Sequence, residues 1–172
     1  LLHAGRYGYH PFSVAPSKIK SPITPFTPSE LSVRQIKSTI KDFAKSAKLA
    51  AKAGYDGVEV HGAHGYILCQ FLSPEINKRE DEYGGSLKNR SRILFEIVDG
   101  IRKTCGNKFL IGVRLSPERF GMDLQEIKTI SQQFIDQGQI DFLDISLWDC
   151  FKYPEDSKYK DKTLLDHVTS LD

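Results

Sequence analysis

Apolar residues recur every three or four positions in three stretches of the chain, the spacing that predicts amphipathic helices. The clearest start signal is a capping box formed by Ser32 and Gln35, with Gly54 as the stop. The predicted helices run from Ser32 to Gly54, from a turn at Gly84–Ser86 to Gly106, and from a capping box of Asp123 and Glu126 to Gly138, with a short fourth helix starting near Leu164.

The segments between the helices have the patterns of β-strands. Val58 and Val60 alternate with Glu59 and His61, whereas the segment 109–117 is almost continuously apolar, as in a buried parallel strand. A third strand is predicted at 141–146, and residues 1–4 resemble the end of another before a turn at Gly5. The alternation predicts an inward-facing column of small and polar residues: Glu59, His61, Gly112, Arg114, Ser116, Asp144 and Ser146.

Strands that alternate with helices indicate an α/β fold with a parallel sheet. The segment 7–30 has no sustained periodicity and five prolines, so it is predicted to be a long ordered loop. A second loop, between Asn77 and Ser86, is densely charged, and we expect Arg79 and Asp81 to pair and hold it. Arg114 lies on an otherwise apolar strand and must also be paired, for which Glu59 is one candidate.

Three hydrogen-bonding side chains, His61, His64 and Tyr66, lie within six positions at the carboxyl end of the strand that begins at Gly57, and Gly62 and Gly65 loosen the backbone between them. Ligands bind at this end of parallel strands. Two imidazoles can grip a carbonyl or anionic oxygen while the phenol offers a proton. The cluster can equally complete the hydrogen bonding of a strand end. A metal site that uses Glu59 or His3 as third ligand is disfavoured, because zinc histidines usually lie on a helix or are joined by cysteines.

Composition narrows the function classes. The chain has 172 residues, 40% hydrophobic and 27% charged, which is typical of one globular domain or part of one. Its 24 basic and 22 acidic residues are interspersed and give a net charge of +2, so neither nucleic acid nor an anionic membrane is expected as a partner. No apolar run approaches the ~18 residues of a membrane span. The three scattered cysteines favour a reducing, cytoplasmic compartment over a disulfide framework or a metal cluster.

Four motifs occur in a fixed order: HGAHGY at 61–66, QFLSP at 70–74, NKRxDEYGGS at 77–86 and NR at 89–90. Together they resemble the old yellow enzyme family of FMN-dependent oxidoreductases. The segment LLHAGR at 1–6 is similar to the family's QLxHAGR segment without its first residue. The resemblance covers about residues 1–146.

The resemblance implies a TIM (β/α)8 barrel, of which this chain would be the central part, with about the third to sixth strands. It implies FMN as cofactor, NADH or NADPH as reductant and an electron-poor alkene as the small-molecule substrate. His61 and His64 would hold the activating oxygen of the substrate, and Tyr66 would donate a proton. Arg114 and His3 are assigned to cofactor binding, and no metal is expected.

Two alternatives stay open. The segment 6–17 is more similar to the 2,4-dienoyl-CoA reductase branch, which would add an iron–sulfur cluster bound beyond Asp172. The chain could also be a truncated barrel without catalysis. A complete barrel needs eight βα units in ~250 residues, so we expect this segment alone to fold poorly and to lose FMN. Homo-oligomer formation by the full-length protein is left open.

Overall fold

The computed structural model describes residues 1–171 and contains a parallel three-stranded sheet covered by helices on one side. The helices are α1 (Val33–Lys52), α2 (Ile67–Leu72), α3 (Leu87–Cys105), α4 (Leu124–Gln137) and α5 (Leu164–Thr169). The strands are β1 (Val14–Ala15), β2 (Ser29–Glu30), β3 (Gly57–Gly62), β4 (Leu110–Leu115) and β5 (Phe142–Ile145), and 3-10 turns occur at Gly5–Tyr7 and Ser157–Tyr159.

The main sheet has the order β3-β4-β5, with both pairs parallel. Each of its connections contains a long helix, as predicted for a βα repeat. The predicted strand at residues 1–4 is not formed as such. Leu1 nevertheless lies along the free edge of β3, where its carbonyl accepts the backbone N–H of His61 at 2.9 Å.

The three long helices start as the sequence predicts, with one difference in detail. Ser32 and Gln35 form a complete capping box on α1, and Ser86 caps α3 through the Asn89 N–H. On α4, Asp123 accepts the Glu126 N–H, but the box is only half made. The Glu126 carboxylate binds Arg90 of α3 instead, at 2.6 Å, because that buried guanidinium needs a counter-charge.

The core lies between the outer face of the sheet and the helices. Helix α1 packs against α3, and α3 meets α4 where the rings of Phe95 and Phe134 stack with centroids 4.2 Å apart. The fully buried side chains include Ile36, Val60, Phe71, Leu94, Ile97, Ile111, Val113 and Phe134. The outward-facing residues of the strands thus form the core, and the inward-facing residues, which are mostly small or polar, are available to form a binding site.

The segment 7–30 is not purely a loop, because it contains β1 and β2, which pair in parallel. The buried side chain of Arg79 holds the segment 7–30 in place. It pairs with Asp81 as predicted, at 2.5 Å, and also donates to the carbonyls of Pro16 and Leu31 at 2.9 and 2.6 Å. All three cysteines are free thiols, and no helix within residues 1–171 has the length and apolarity needed to cross a membrane.

Candidate active site

His61, His64 and Tyr66 come together at the carboxyl end of β3. His61 is on the strand, His64 is in the turn that follows it, and Tyr66 is the N-cap residue of α2. The ring centroid of His61 lies 5.0 Å from that of His64 and 5.2 Å from that of Tyr66. The predicted trio is therefore one contiguous cluster of half-buried rings.

The turn between the strand and α2 is shaped by two residues with positive φ, His64 at 58° and Gly65 at 76°. A side chain at position 65 could not fit, since its Cβ would lie 2.6 Å from the Tyr7 hydroxyl. His64 is held in this strained conformation by its backbone N–H, which donates to Ser116 Oγ at 3.1 Å, and by its Nε2, which is 2.7 Å from Ser146 Oγ. Three strand ends thus fix the position of one imidazole.

Both histidines are neutral near pH 7. Burial, reinforced by the neighbouring His64 and Arg114, lowers the pKa of His61 from 6.5 to about 4. Burial and the Arg114 charge also lower the pKa of His64. A neutral imidazole has one N–H donor, so the pair can donate two hydrogen bonds to a single ligand oxygen without carrying charge.

Arg114 lies directly across from His61 in the β3–β4 register and from Asp144 in the β4–β5 register. Its ion-pair partner is Asp144, with Nε 3.2 Å from Oδ2, and not Glu59, which the sequence analysis named as one candidate. Glu59 lies in the same cluster: burial and the Asp144 charge raise its pKa, and the Arg114 charge lowers it. The register decides this pairing, because it places Asp144 beside the guanidinium.

The Arg114–Asp144 pair leaves part of the guanidinium uncommitted. Nε is buried and within ion-pair distance of the carboxylate, yet it makes no well-aligned hydrogen bond to any described residue. Nη2 is 3.5 Å from Ser146 Oγ, the weak end of the hydrogen-bond range. Arg114 therefore has donors left for a further acceptor on the inner side of the sheet.

His3, the other predicted cofactor residue, is not brought into the cluster. Its side chain lines a small pocket with Asp42 and Phe43 of α1, and its Nδ1 accepts the Gly5 N–H at 3.0 Å. Its assignment to the cofactor remains a prediction. Among residues 1–171, no group of three His, Cys, Asp or Glu side chains is arranged to hold a metal ion.

An open pocket of about 520 Å³ adjoins the cluster and is mostly apolar. Three of its residues, His64, Tyr66 and Ser146, were singled out from the sequence, because they lie at or just after the ends of predicted strands. The others come from loops that carry no periodic signal: Tyr7, Ile23, Phe120 and Trp148. Sequence reasoning missed these four, although positive φ values at Phe120 (54°) and Trp148 (63°) mark both as unusual backbone positions.

The Tyr66 hydroxyl has no hydrogen-bond partner among the described residues and lies at this pocket. On the far side, the Trp148 ring is contacted by the Arg119 guanidinium at 5.1 Å, which is itself anchored to Glu155 at 2.9 Å. The arrangement combines two neutral N–H donors, one free phenol and an apolar wall. It can bind a polar oxygen on an otherwise apolar molecule and deliver a proton to it.

The chain is similar to known flavin-dependent oxidoreductases. The sequence profile of the NADH:flavin oxidoreductase / NADH oxidase family matches residues 3–165. An NADPH dehydrogenase of Bacillus licheniformis is 38% identical over 148 residues, which are 85% of this chain and 43% of that protein. The 12-oxophytodienoate reductase 2 of Arabidopsis thaliana is 43% identical over 133 residues, 68% of this chain and 35% of that protein.

Solved structures agree with the sequence relatives. Morphinone reductase in complex with tetrahydroNAD superimposes with a TM-score of 0.76 at 30% identity, over 89% of this chain and 48% of that structure. The chain spans less than half the length of these relatives, and its sheet and helices form part of a TIM barrel, as predicted. By profile, sequence and fold, the chain belongs to the NADH:flavin oxidoreductase / NADH oxidase family, the old yellow enzymes, which use FMN.

Proposed function

We propose that the full-length protein carrying this segment is an FMN-dependent NAD(P)H oxidoreductase that reduces electron-poor alkenes. The observation that carries the proposal is the cluster of two neutral imidazoles and one free phenol at the carboxyl end of β3, beside Arg114. Relatives named cinnamate reductase, from Clostridium sporogenes, and 12-oxophytodienoate reductase support this substrate class, since both names denote unsaturated carbonyl compounds.

The hydrogen-bond donors on the inner face of the sheet are of the kind that FMN requires. Arg114 has a buried Nε without a well-aligned partner, and a cationic donor of this kind suits a flavin ring that becomes negative on reduction. Arg114 would hold the ring, with His61 next to it in the register. When bound, FMN supplies the hydride that adds to the β-carbon of the alkene.

The residues of this chain would supply the rest of the chemistry. His61 and His64 would donate N–H hydrogen bonds to the activating carbonyl or nitro oxygen and so stabilise the negative charge that develops there. Because both are neutral, they can do so without a proton being lost to the substrate. The phenol of Tyr66 would then protonate the α-carbon, and the apolar wall of the pocket would hold the remainder of the substrate.

Substitution of Tyr66 by Phe in the full-length protein tests the proton-donor role. Loss of a general acid is expected to slow alkene reduction by about 10²–10⁴-fold, whereas reduction of the flavin by NAD(P)H is unchanged. Stopped-flow absorbance at flavin wavelengths resolves the two half-reactions. Tyr9→Phe is the matched control, because Tyr9 is 77% exposed and lies outside the pocket. Alkene reduction at the parent rate in Tyr66→Phe would show that the proton comes from elsewhere.

A further inference from the structure

Ser146 lies immediately after β5, at the meeting point of two functional side chains. Its backbone N–H donates to the Leu115 carbonyl at 2.8 Å, which extends the β4–β5 pairing by one residue and fixes the Ser146 backbone. Its Oγ is 2.7 Å from His64 Nε2 and 3.5 Å from Arg114 Nη2. Ser146 also lines the pocket, but nothing in the proposed chemistry uses it directly.

The direction of these hydrogen bonds follows from what each group can offer. A guanidinium has donors only, so Ser146 Oγ must accept from Arg114. The hydroxyl has a single proton, and among the described residues its one acceptor at hydrogen-bond distance is His64 Nε2. A neighbouring cation polarises the hydroxyl and makes it a better donor. The Ser146 hydroxyl therefore donates to Nε2.

This direction decides where the proton of His64 resides. A neutral imidazole that accepts at Nε2 carries its hydrogen on Nδ1, since one nitrogen is donor and the other acceptor. The neutral state is itself favoured by burial and by the Arg114 charge, which lower the pKa of His64. The opposite tautomer would point two protons at each other, or would turn the serine proton away from the imidazole toward the solvent of the open pocket.

We infer that Ser146 is a positioning residue that links Arg114 to His64 and fixes His64 as the Nδ1–H tautomer. This inference rests on the proposed function for its consequence, because Nδ1–H is then the donor that His64 presents to the activating oxygen of the substrate. Ser116, which binds the His64 backbone N–H at 3.1 Å, complements it by setting the position of the residue but has no influence on the ring proton.

The test uses the full-length protein labelled with ¹⁵N in histidine and two-bond ¹H–¹⁵N correlation spectra, which distinguish the two tautomers. His64→Gln identifies the His64 signals by their loss. In the parent protein we expect the Nδ1–H pattern at pH 7.5. In Ser146→Ala we expect a shift toward the Nε2–H form, and in Ser146→Thr, which keeps a hydroxyl, the Nδ1–H pattern is retained.

Kinetics of alkene reduction give a second measurement. Loss of one oriented donor is expected to raise KM for cyclohexenone by about 3- to 10-fold in Ser146→Ala, with the parent value restored in Ser146→Thr. An Nε2–H tautomer in the parent protein, or an unchanged tautomer in Ser146→Ala, would overturn the inference. The tautomer is read without substrate, so failure of the protein to reduce any alkene would count against the proposed function alone.

Discussion

In the proposed function, His61 and His64, whose ring centroids lie 5.0 Å apart, bind the same ligand oxygen, and they do not repel each other because both imidazoles are uncharged. The pKa of His61 is about 4 because burial disfavours the imidazolium, and because His64 and Arg114 lie next to it. In an unfolded chain the same histidine titrates near 6.5. The difference between the pKa of His61 in the folded chain and in the unfolded chain makes the stability of the protein depend on pH.

Stability is expected to fall as the pH drops from about 6.5 toward 4, because the unfolded chain takes up a proton at position 61 that the folded chain does not. Above pH 6.5 both states are neutral there and the contribution vanishes. Urea unfolding of the full-length protein at pH 7 and pH 4.5 measures the loss, and His61→Gln should lose less stability over this interval than the parent does.

His10→Gln serves as the control substitution, since it makes the same change at an exposed histidine outside the pocket. It should lose as much stability as the parent between the two pH values. If His61→Gln and the parent had the same pH dependence, the pKa of His61 would be the same in the folded and the unfolded protein. The lowering of this pKa by burial and by the neighbouring His64 and Arg114 would then be wrong.

At the residue scale, alternation along the strands was sufficient to place His61, Arg114 and Asp144 on one face. It could not pair them, because the partner of Arg114 depends on the register between strands, which the alternation within each strand does not reveal. The pocket wall shows the second limit. Tyr7 and Trp148 reach the site from segments without periodicity, so their position follows from loop conformation alone.

At the scale of secondary structure, the segment 7–30 is fixed by one buried cation. Arg79, 7% exposed, binds Asp81 and donates to the carbonyls of Pro16 and Leu31, which flank β1 and β2. Arg79→Met is expected to cost about 3–5 kcal/mol, because it leaves a carboxylate and two carbonyls without their partner. Chemical denaturation of the full-length protein measures the loss, and limited proteolysis should show new cleavage within residues 7–30.

Lys103→Met provides a comparison for the Arg79 substitution. Lys103 also pairs with an aspartate, Asp99, at 2.6 Å, but its side chain is 74% exposed. An ion pair on the surface is worth less than about 1 kcal/mol, so this variant should unfold almost as the parent does. Equal effects of the two substitutions would mean that the Arg79 hydrogen bonds do not hold the segment.

The three long helices, the strands β3 to β5 and the start of the short helix α5 at Leu164 were predictable from sequence, whereas β1, β2 and α2 were not. The helices α1, α3 and α4 each have a capping residue, an apolar face several turns long and a glycine close to the C-terminal end. The hydrophobic periodicity and the start and stop signals therefore predict the same helix. Strands β1 and β2 have 2 residues each, and α2 has 6, too few to show a period. They form because tertiary contacts, such as those of Arg79, supply what the local sequence lacks.

On the scale of the whole molecule, the sheet has the form of a barrel segment. Among the described residues β5 pairs only with β4, and the aromatic ring of Phe142, 47% exposed, covers Gly112 on the inner face. The polar column of Glu59, Arg114 and Asp144 lies on that same face, close to water. In a closed barrel such groups are enclosed by further strands, which also remove the open edges.

Residues 1–172 produced alone are therefore expected to fold with low cooperativity and to retain no FMN through gel filtration. Barrel enzymes frequently bind the cofactor phosphate with loops after the seventh and eighth strands, and this chain corresponds to less than half of its relatives. Flavin absorbance of the purified segment, beside that of the full-length protein, measures retention, and the urea transition measures cooperativity. Stoichiometric FMN on the isolated segment would mean that Arg114 and its neighbours hold the cofactor without a phosphate site from the rest of the barrel, and the assignment of that site to later strands would have to be abandoned.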